Sequence, residues 1–259
     1  MTVPTLTLTH LGGAHDAPVL VLGPSLGTST ILWEHTVQTL GERYRLLAWD
    51  LPGHGASPAS QAPFTVAELA DAVAHAVRED GTDRIRYAGV SLGGATGLEL
   101  LLRHPELVER AAIIASGAQL GDPQAWHDRA AQVRAQSTSS LISGSAERWF
   151  APGSIEREPE LTGRLLHALQ GADDGSYAHC CEALAGFDVR DRLGEIDRPV
   201  VAIWGEHDAV APAPKADELA SGVRHGTAAM VADAAHLPPA EQPDATARLL
   251  RDFFDGSAR

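Results

Sequence analysis

The sequence carries one serine set for nucleophilic chemistry, Ser91 in the run Gly89-Val90-Ser91-Leu92-Gly93. Arg84-Ile85-Arg86-Tyr87-Ala88 before it is rich in β-formers, and Gly94 to His104 after it has the Ala and Leu content of a buried helix that stops at Pro105. A serine on so tight a strand-to-helix turn is pushed out of the chain with strained backbone angles. Only glycine-sized neighbours two residues away let strand and helix approach that closely. The turn also aims the first helical N–H groups at whatever the serine attacks. A serine in a Gly-rich turn could instead merely cap the next helix, so the rest of the chain decides.

A nucleophilic serine needs a base, and the base needs an orienting acid, here expected in the order Ser, acid, His. Arg198 to Gly205 has the composition of a late strand, followed by Glu206-His207-Asp208; Gly226 to Val231 is the next, followed by Asp233-Ala234-Ala235-His236. Asp208 and His236 therefore fall at the carboxyl ends of neighbouring strands, the edge where Ser91 also emerges and where open α/β sheets bind ligands. Asp208 could alternatively cap a helix through Pro212–Leu219, and His236 could be a surface-loop histidine before a final helix, Gln242–Phe254. Glu206, His207 and Asp208 are consecutive and rarely converge on one ion, and neither an H-x-x-x-H pair nor a cysteine pair supports them, so no metal site is expected.

Acyl transfer also needs donors for an oxyanion. The Leu92 N–H, directly after the nucleophile, is one. The second is expected from Gly23-Pro24-Ser25-Leu26-Gly27, the loop after an early strand, where small neighbours free the Leu26 N–H to face Ser91. Ser25 is either a polar substrate contact or only a turn hydroxyl.

These groups need elements to hold them. Strands are expected near Thr5–Thr9, Val19–Leu22, Arg45–Trp49, Ile85–Gly89, Ala111–Ala115, Val200–Trp204 and Ala228–Val231. Helices are expected near Trp33–Leu40, Val66–Arg78, Gly93–Arg103, Ala213–Ala220 and Thr246–Phe254. That alternation predicts an α/β fold: a mostly parallel central sheet with helices on both faces, with Thr5–Thr9 as an antiparallel edge. Between Gln119 and Arg190 the alternation stops. Asp122-Pro123 opens a helical pattern with Trp126, Ala130 and Val133 on one face; Pro159 opens another with Leu161, Leu165, Leu166 and Leu169. A third follows Asp173-Asp174-Gly175-Ser176, with Tyr177, Cys181 and Leu184 inward. The expected division is a core of residues 1–118 and 191–259 with an all-helical lid, residues 119–190, inserted over the catalytic edge.

Composition narrows the partners. With 20 Lys and Arg against 34 Asp and Glu, the 259-residue chain has a formal charge of −14. An acidic chain without basic clusters argues against nucleic acid and anionic membranes. Its longest apolar runs are strand-length, and Met1-Thr2-Val3-Pro4 has neither a basic nor an apolar signal region. The two cysteines, Cys180 and Cys181, are adjacent and unsuited to a structural disulfide. A cytoplasmic home is expected.

Asp50-Leu51-Pro52-Gly53-His54-Gly55-Ala56-Ser57 resembles the D-x-x-G-H-G-x-S turn of α/β-hydrolases, where its role is structural and His54 would be a packed loop residue. The whole chain is similar to the 3-oxoadipate enol-lactonases of the β-ketoadipate pathway of aromatic breakdown. The resemblance is carried by Pro24-Ser25-Leu26-Gly27-Thr28 with Trp33, by Arg148-Trp149-Phe150 with Ile155 to Pro159, and by Gly175 to Ala178 with Cys181 to Leu184. Gly23-Pro24 departs from the polar residues often found there, and Pro238-Pro239 should stiffen the loop after His236. The resemblance implies an α/β-hydrolase fold and a cofactor-free serine mechanism. Ser91 would attack the lactone carbonyl, with Asp208 and His236 completing the triad and Leu26 and Leu92 holding the oxyanion. Ser25, Trp126, Arg148 and Trp149 would contact a small anionic lactone; Arg148 is the first candidate for its carboxylate, with Arg129 and Arg134 as alternatives. The same triad also serves carboxylesterases, C–C bond hydrolases and cofactor-free perhydrolases, and the fold also makes receptor-like binding modules. Some family members are fused to a decarboxylase domain; whether this chain was cut from such a fusion is left open, as is the oligomeric state.

Overall fold

A computed structural model describes residues 3–256 of the chain. Its centre is a seven-stranded sheet of β1 (Leu8–Gly12), β2 (Val19–Gly23), β3 (Arg45–Trp49), β4 (Ile85–Val90), β5 (Val108–Ile114), β6 (Val200–Gly205) and β7 (Gly226–Val231), in the order β1-β3-β2-β4-β5-β6-β7. β2 to β7 are parallel, and β1 alone runs antiparallel, against β3. Leu20, Val21, Leu22, Ala88 and Val90 are fully buried. Such unbroken apolar runs, without polar alternation, are what a parallel sheet covered on both faces requires. The antiparallel edge lies three residues later than Thr5–Thr9. The Thr7 N–H donates to Ser57 Oγ and the Thr7 carbonyl accepts from the Asp50 N–H, so this stretch follows the 50–57 turn before the ladder starts at Leu8 opposite Trp49.

Helices cover the faces: α1 (Glu34–Leu40), α2 (Val66–Glu79) and α3 (Leu92–Arg103) in the first half. The N-terminus of α2 is fixed by a capping box in which Thr65 and Glu68 satisfy each other's backbone N–H. A 3-10 turn, Thr30–Trp33, precedes α1 where a continuous helix from Trp33 was expected. The Thr30 N–H is drawn to Asp50 Oδ1, and the Leu32 N–H to the Ser29 carbonyl, which tightens the entry.

Residues 119–190 hold α4 (Pro123–Gln136), α5 (Ile142–Trp149), α6 (Ser154–Arg157), α7 (Pro159–Gly171) and α8 (Asp174–Ala185). Three of these match the expected patterns. The short α5 and α6 were not foreseen, because Gly144, Ser143 and Ser145 break any clear apolar stripe; α5 buries only Ser145 and Trp149. A lone antiparallel bridge between Gln119 and Asp188 closes the neck of the insertion. Further along it is tied down by the Asp173 N–H to the Gly53 carbonyl and the Ser60 N–H to Ser176 Oγ.

The chain closes with α9 (Ala213–Gly222), α10 (Pro238–Glu241) and α11 (Pro243–Phe254). Pro238 and Pro239 open α10, and Pro243 separates it from α11, whose Ala247, Leu250, Phe253 and Phe254 form the buried stripe. Among the described residues, no helix is long and apolar enough to cross a membrane.

The 50–57 turn works as the sequence suggests, by bonding rather than by chemistry. Asp50 accepts the N–H groups of Thr30 and Ala56 at 2.9 Å each, and Ser57 Oγ donates to the Asp50 carbonyl at 2.7 Å. His54 Nε2 accepts the Gly27 N–H at 3.3 Å, which leaves Nδ1 to donate to the Pro52 carbonyl at 2.9 Å. The ring is thus neutral, and burial pushes its pKa down to about 4. Between about pH 6.5 and 4 the unfolded chain binds a proton that the folded one refuses, so stability falls as pH falls through that window. Wild type should lose up to about 3 kcal/mol more than His54→Gln on going from pH 7 to pH 4. Urea unfolding at both pH values measures this; equal losses in the two proteins would show that His54 is not held neutral.

Candidate active site

Ser91 sits between β4 and α3 with φ 55° and ψ −113°, a conformation that costs a non-glycine residue of order 1–3 kcal/mol. Three hydrogen bonds hold it there. Its N–H donates to the Ile114 carbonyl at 2.8 Å, and its carbonyl accepts from Ser116 Oγ at 2.8 Å and the Ala95 N–H at 2.9 Å. Gly89 and Gly93 are needed at this crossing. A Cβ on Gly89 would collide with the Gly93 carbonyl, and one on Gly93 would come within 2.6 Å of the Pro24 carbonyl oxygen.

Asp208 follows β6 and His236 follows β7, as the sequence places them. His236 Nδ1 lies 3.0 and 3.2 Å from the two Asp208 oxygens, with both residues buried. Asp208 Oδ1 also accepts the Val210 and Ala211 N–H groups at 2.8 and 3.1 Å. Burial opposes ionisation of this carboxyl, but the His236 ring and these donors outweigh it and hold it below the usual carboxylate range. Helix α9 starts later, with Pro212 at its N-cap, so Asp208 is not a helix cap. Glu206 and His207 face solvent beside Asp233, apart from the buried Asp208.

The loop after β2 is bound to the serine turn by the Gly93 N–H, which donates to the Pro24 carbonyl at 2.9 Å. Thr28 Oγ1 accepts the Ser25 N–H and donates to the Ser25 carbonyl, and the Gly27 N–H goes to His54. Among the described residues, the Leu26 and Leu92 N–H groups donate to no internal acceptor, the condition that oxyanion donors must meet. The Ser25 backbone makes the turn while its side chain lines the cavity, so both expected roles are open to it.

A cavity of about 180 Å³ joins Ser91 and His236 to the insertion. Trp126, Trp149, Tyr177 and Val210 supply apolar walls, and Arg129 and Arg148 line it too. The Arg129 guanidinium lies 5.1 Å over the Trp126 ring, whose Nε1 donates to the Leu120 carbonyl at 2.6 Å. Burial, then the neighbouring Arg129 charge, lowers the Arg148 pKa. Among the described residues neither arginine forms an ion pair, whereas Arg134 is exposed and engaged with Glu182 at 2.6 Å. Asp122, at the rim, is occupied in capping α4 through the Ala125 N–H. Ser25, Trp126, Arg148 and Trp149 are thus gathered in one cavity, with Arg129 beside them. Tyr177 and Val210 were not foreseen as lining; the only sequence signal for Tyr177 was its place on the inner face of α8.

Residues 18–243 match the alpha/beta hydrolase fold family. The chain is 36% identical over 234 residues to 3-oxoadipate enol-lactonase 2 of Acinetobacter baylyi, covering 90% of this chain and 87% of that protein. It is 29% identical over 237 residues to a pimeloyl-[acyl-carrier protein] methyl ester esterase of Neisseria meningitidis, covering 89% and 91%. Among solved structures it superposes on the enol-lactonase from Burkholderia xenovorans LB400 with a TM-score of 0.93, at 31% identity and 96% coverage of both chains.

With this geometry, Ser91→Ala should leave the fold intact and less than about a tenth of the turnover of an activated ester. Asp208→Asn should lower kcat by about three to four orders of magnitude with little change in KM, because the amide favours the wrong imidazole tautomer. Steady-state kinetics on both variants tests the assignment. Full activity in Ser91→Ala would move the nucleophile elsewhere, and an unchanged kcat in Asp208→Asn would reassign the acid.

Proposed function

The chain belongs to the α/β-hydrolase fold family, as a relative of the 3-oxoadipate enol-lactonases, and we propose that it is a carboxylic-ester hydrolase opening 3-oxoadipate enol-lactone to 3-oxoadipate. Ser91 attacks the lactone carbonyl while His236 takes its proton and Asp208 orients the imidazole. The Leu26 and Leu92 N–H groups hold the tetrahedral oxyanion. Ring opening expels an enolate, a better leaving group than an alkoxide; the His236 imidazolium returns its proton to that oxygen, and the enol tautomerises to the ketone. Water deprotonated by His236 then releases the acid from Ser91. The helices of residues 119–190 act as the lid that limits water to this route.

The observation that carries this reading is the pair of guanidiniums, Arg129 and Arg148, beside the triad and, among the described residues, without a carboxylate ion-pair partner. Two half-buried like charges repel each other, and an anionic ligand between them relieves that repulsion while gaining charge-assisted hydrogen bonds. A small carboxylated lactone supplies such an anion; a neutral aliphatic ester does not. The flat walls of Trp126 and Trp149 suit the ring. Place in aromatic breakdown follows from the substrate, and the buried free thiols Cys180 and Cys181 suit a reducing cytoplasm.

Spectrophotometric opening of the enol-lactone, compared with an uncharged aryl ester, tests the proposal. A kcat/KM for the lactone no better than for the ester would favour a general carboxylesterase. Arg148→Ala should weaken transition-state binding of the enol-lactone by about 1.5–3 kcal/mol and barely touch the neutral ester. Equal losses on both would mean that Arg148 supports the lid, and Arg129→Ala would then be the variant expected to discriminate.

A further inference from the structure

Glu241 is 5% exposed and takes part in no step above. It closes α10, five residues beyond His236, and its two oxygens face two different parts of the fold. Oε1 accepts the N–H groups of Ala235 at 2.8 Å and Leu237 at 3.2 Å, the residues on either side of His236. Oε2 accepts the Ala151 N–H at 2.6 Å and the Ser154 hydroxyl at 2.9 Å, in the segment that leaves α5 just after Trp149. The His236 N–H itself donates to the Trp149 carbonyl at 3.1 Å. Three consecutive N–H groups around the base are thus committed, two to this carboxylate and one to the residue whose ring walls the cavity.

A carboxylate so deeply placed is expensive to desolvate, and burial raises its pKa despite its four donors. An apolar side chain would fill the same space at lower cost, but it would leave those donors without acceptors. Two of the four bonds hold the adjacent 235–237 loop and two reach 151–154, far away in sequence, so their effect is to fix one segment relative to the other.

We propose that Glu241 is a positioning residue: its carboxylate locks the His236 loop and the Trp149–Ser154 segment into one register, so that the base and the substrate-facing wall are placed together. The inference rests on the triad reading above and extends it to a residue that touches no substrate. The two oxygens divide the work. Bonds to Oε1 aim the imidazole, on which kcat depends for every substrate. Bonds to Oε2 set the wall of Trp149 and Arg148, on which KM for the anionic lactone depends.

The test is kcat and KM of wild type, Glu241→Gln and Ser154→Ala on the enol-lactone and on an activated aryl acetate, with thermal unfolding of each protein. In Glu241→Gln the amide NH2 must oppose one pair of donors, and kcat on both substrates should fall on the order of 10- to 100-fold at a temperature where the variant is fully folded. Ser154→Ala removes the hydroxyl that donates to Oε2 and accepts from Arg157, and leaves both bonds to Oε1 in place; KM for the enol-lactone should rise several-fold, with kcat on the aryl acetate unchanged. A folded Glu241→Gln with wild-type kcat would overturn the proposal. If that variant does not fold, Ser154→Ala decides, and unchanged KM for the lactone overturns it. Wild type inert toward both substrates would refute the triad reading and this one with it, whereas active wild type with unaffected variants would refute this one alone.

Discussion

The constraint on which the rest of the site depends is the backbone of Ser91, held at positive φ between the central strand and its helix. A strained residue persists only where its surroundings over-determine it. Here the Ile114 carbonyl at the end of β5, the Ser116 hydroxyl just beyond it and the Ala95 N–H of α3 supply the restraints, so Ser91 is fixed in part by a segment that carries no other member of the candidate triad. The absence of side chains at Gly89 and Gly93 lets α3 sit against the β2 loop, and the Gly93 to Pro24 bond then joins the two segments bearing Leu26 and Leu92. Ser91 and the candidate oxyanion donors are consequently carried on segments that are bonded to one another. In the proposed mechanism, donors held in this way need no rearrangement when charge develops on the bound oxygen.

Electrostatics divide the molecule into a surface and a pocket of opposite character. The chain carries a formal charge of −14, yet among the described residues the cavity beside Ser91 and His236 is lined by two arginines and one rim carboxylate, itself engaged in a helix cap. Long-range repulsion between the protein and an anionic ligand is screened by salt within about 10 Å, whereas inside a low-dielectric cavity the local guanidiniums dominate. An acidic protein and an acidic substrate are therefore compatible, provided the cations sit inside. Packing of Arg129 on Trp126, and of Trp149 at the His236 backbone, joins charge recognition to the aromatic wall.

Two buried polar groups far from one another in sequence do comparable work at the two ends of this site. His54 gives its ring nitrogen to Gly27 and steadies the oxyanion loop; Glu241 gives its carboxylate to the base loop and the insertion. Both replace what apolar packing could supply more cheaply with directional bonds. The gain is geometric. An oriented acceptor fixes where a loop backbone lies, while a methyl group fixes only that it is near.

Sequence by itself determined the fold and brought the candidate serine, acid and histidine to one edge of the sheet. The strand–Gly-x-Ser-x-Gly–helix pattern, and an acid and a histidine each directly after an apolar strand, are local signals, because the chemistry sits where strands end and strands are legible in runs of a few residues. The Asp50–Ser57 turn was legible for the same reason. Tertiary structure alone decided which cations meet in the cavity: Arg134 on α4 pairs with Glu182 on the packed α8, whereas Arg129 on α4 and Arg148 on α5 line the cavity together with Ser91. It also decided the short α5 and α6, whose few buried residues make no periodic stripe, and the partners of Glu241. The Glu241 partners at 151 and 154 come from some 90 residues away. Glu241 becomes a buried acceptor only when the 151–154 segment packs upon it, and no local pattern encodes a contact made at that distance along the chain.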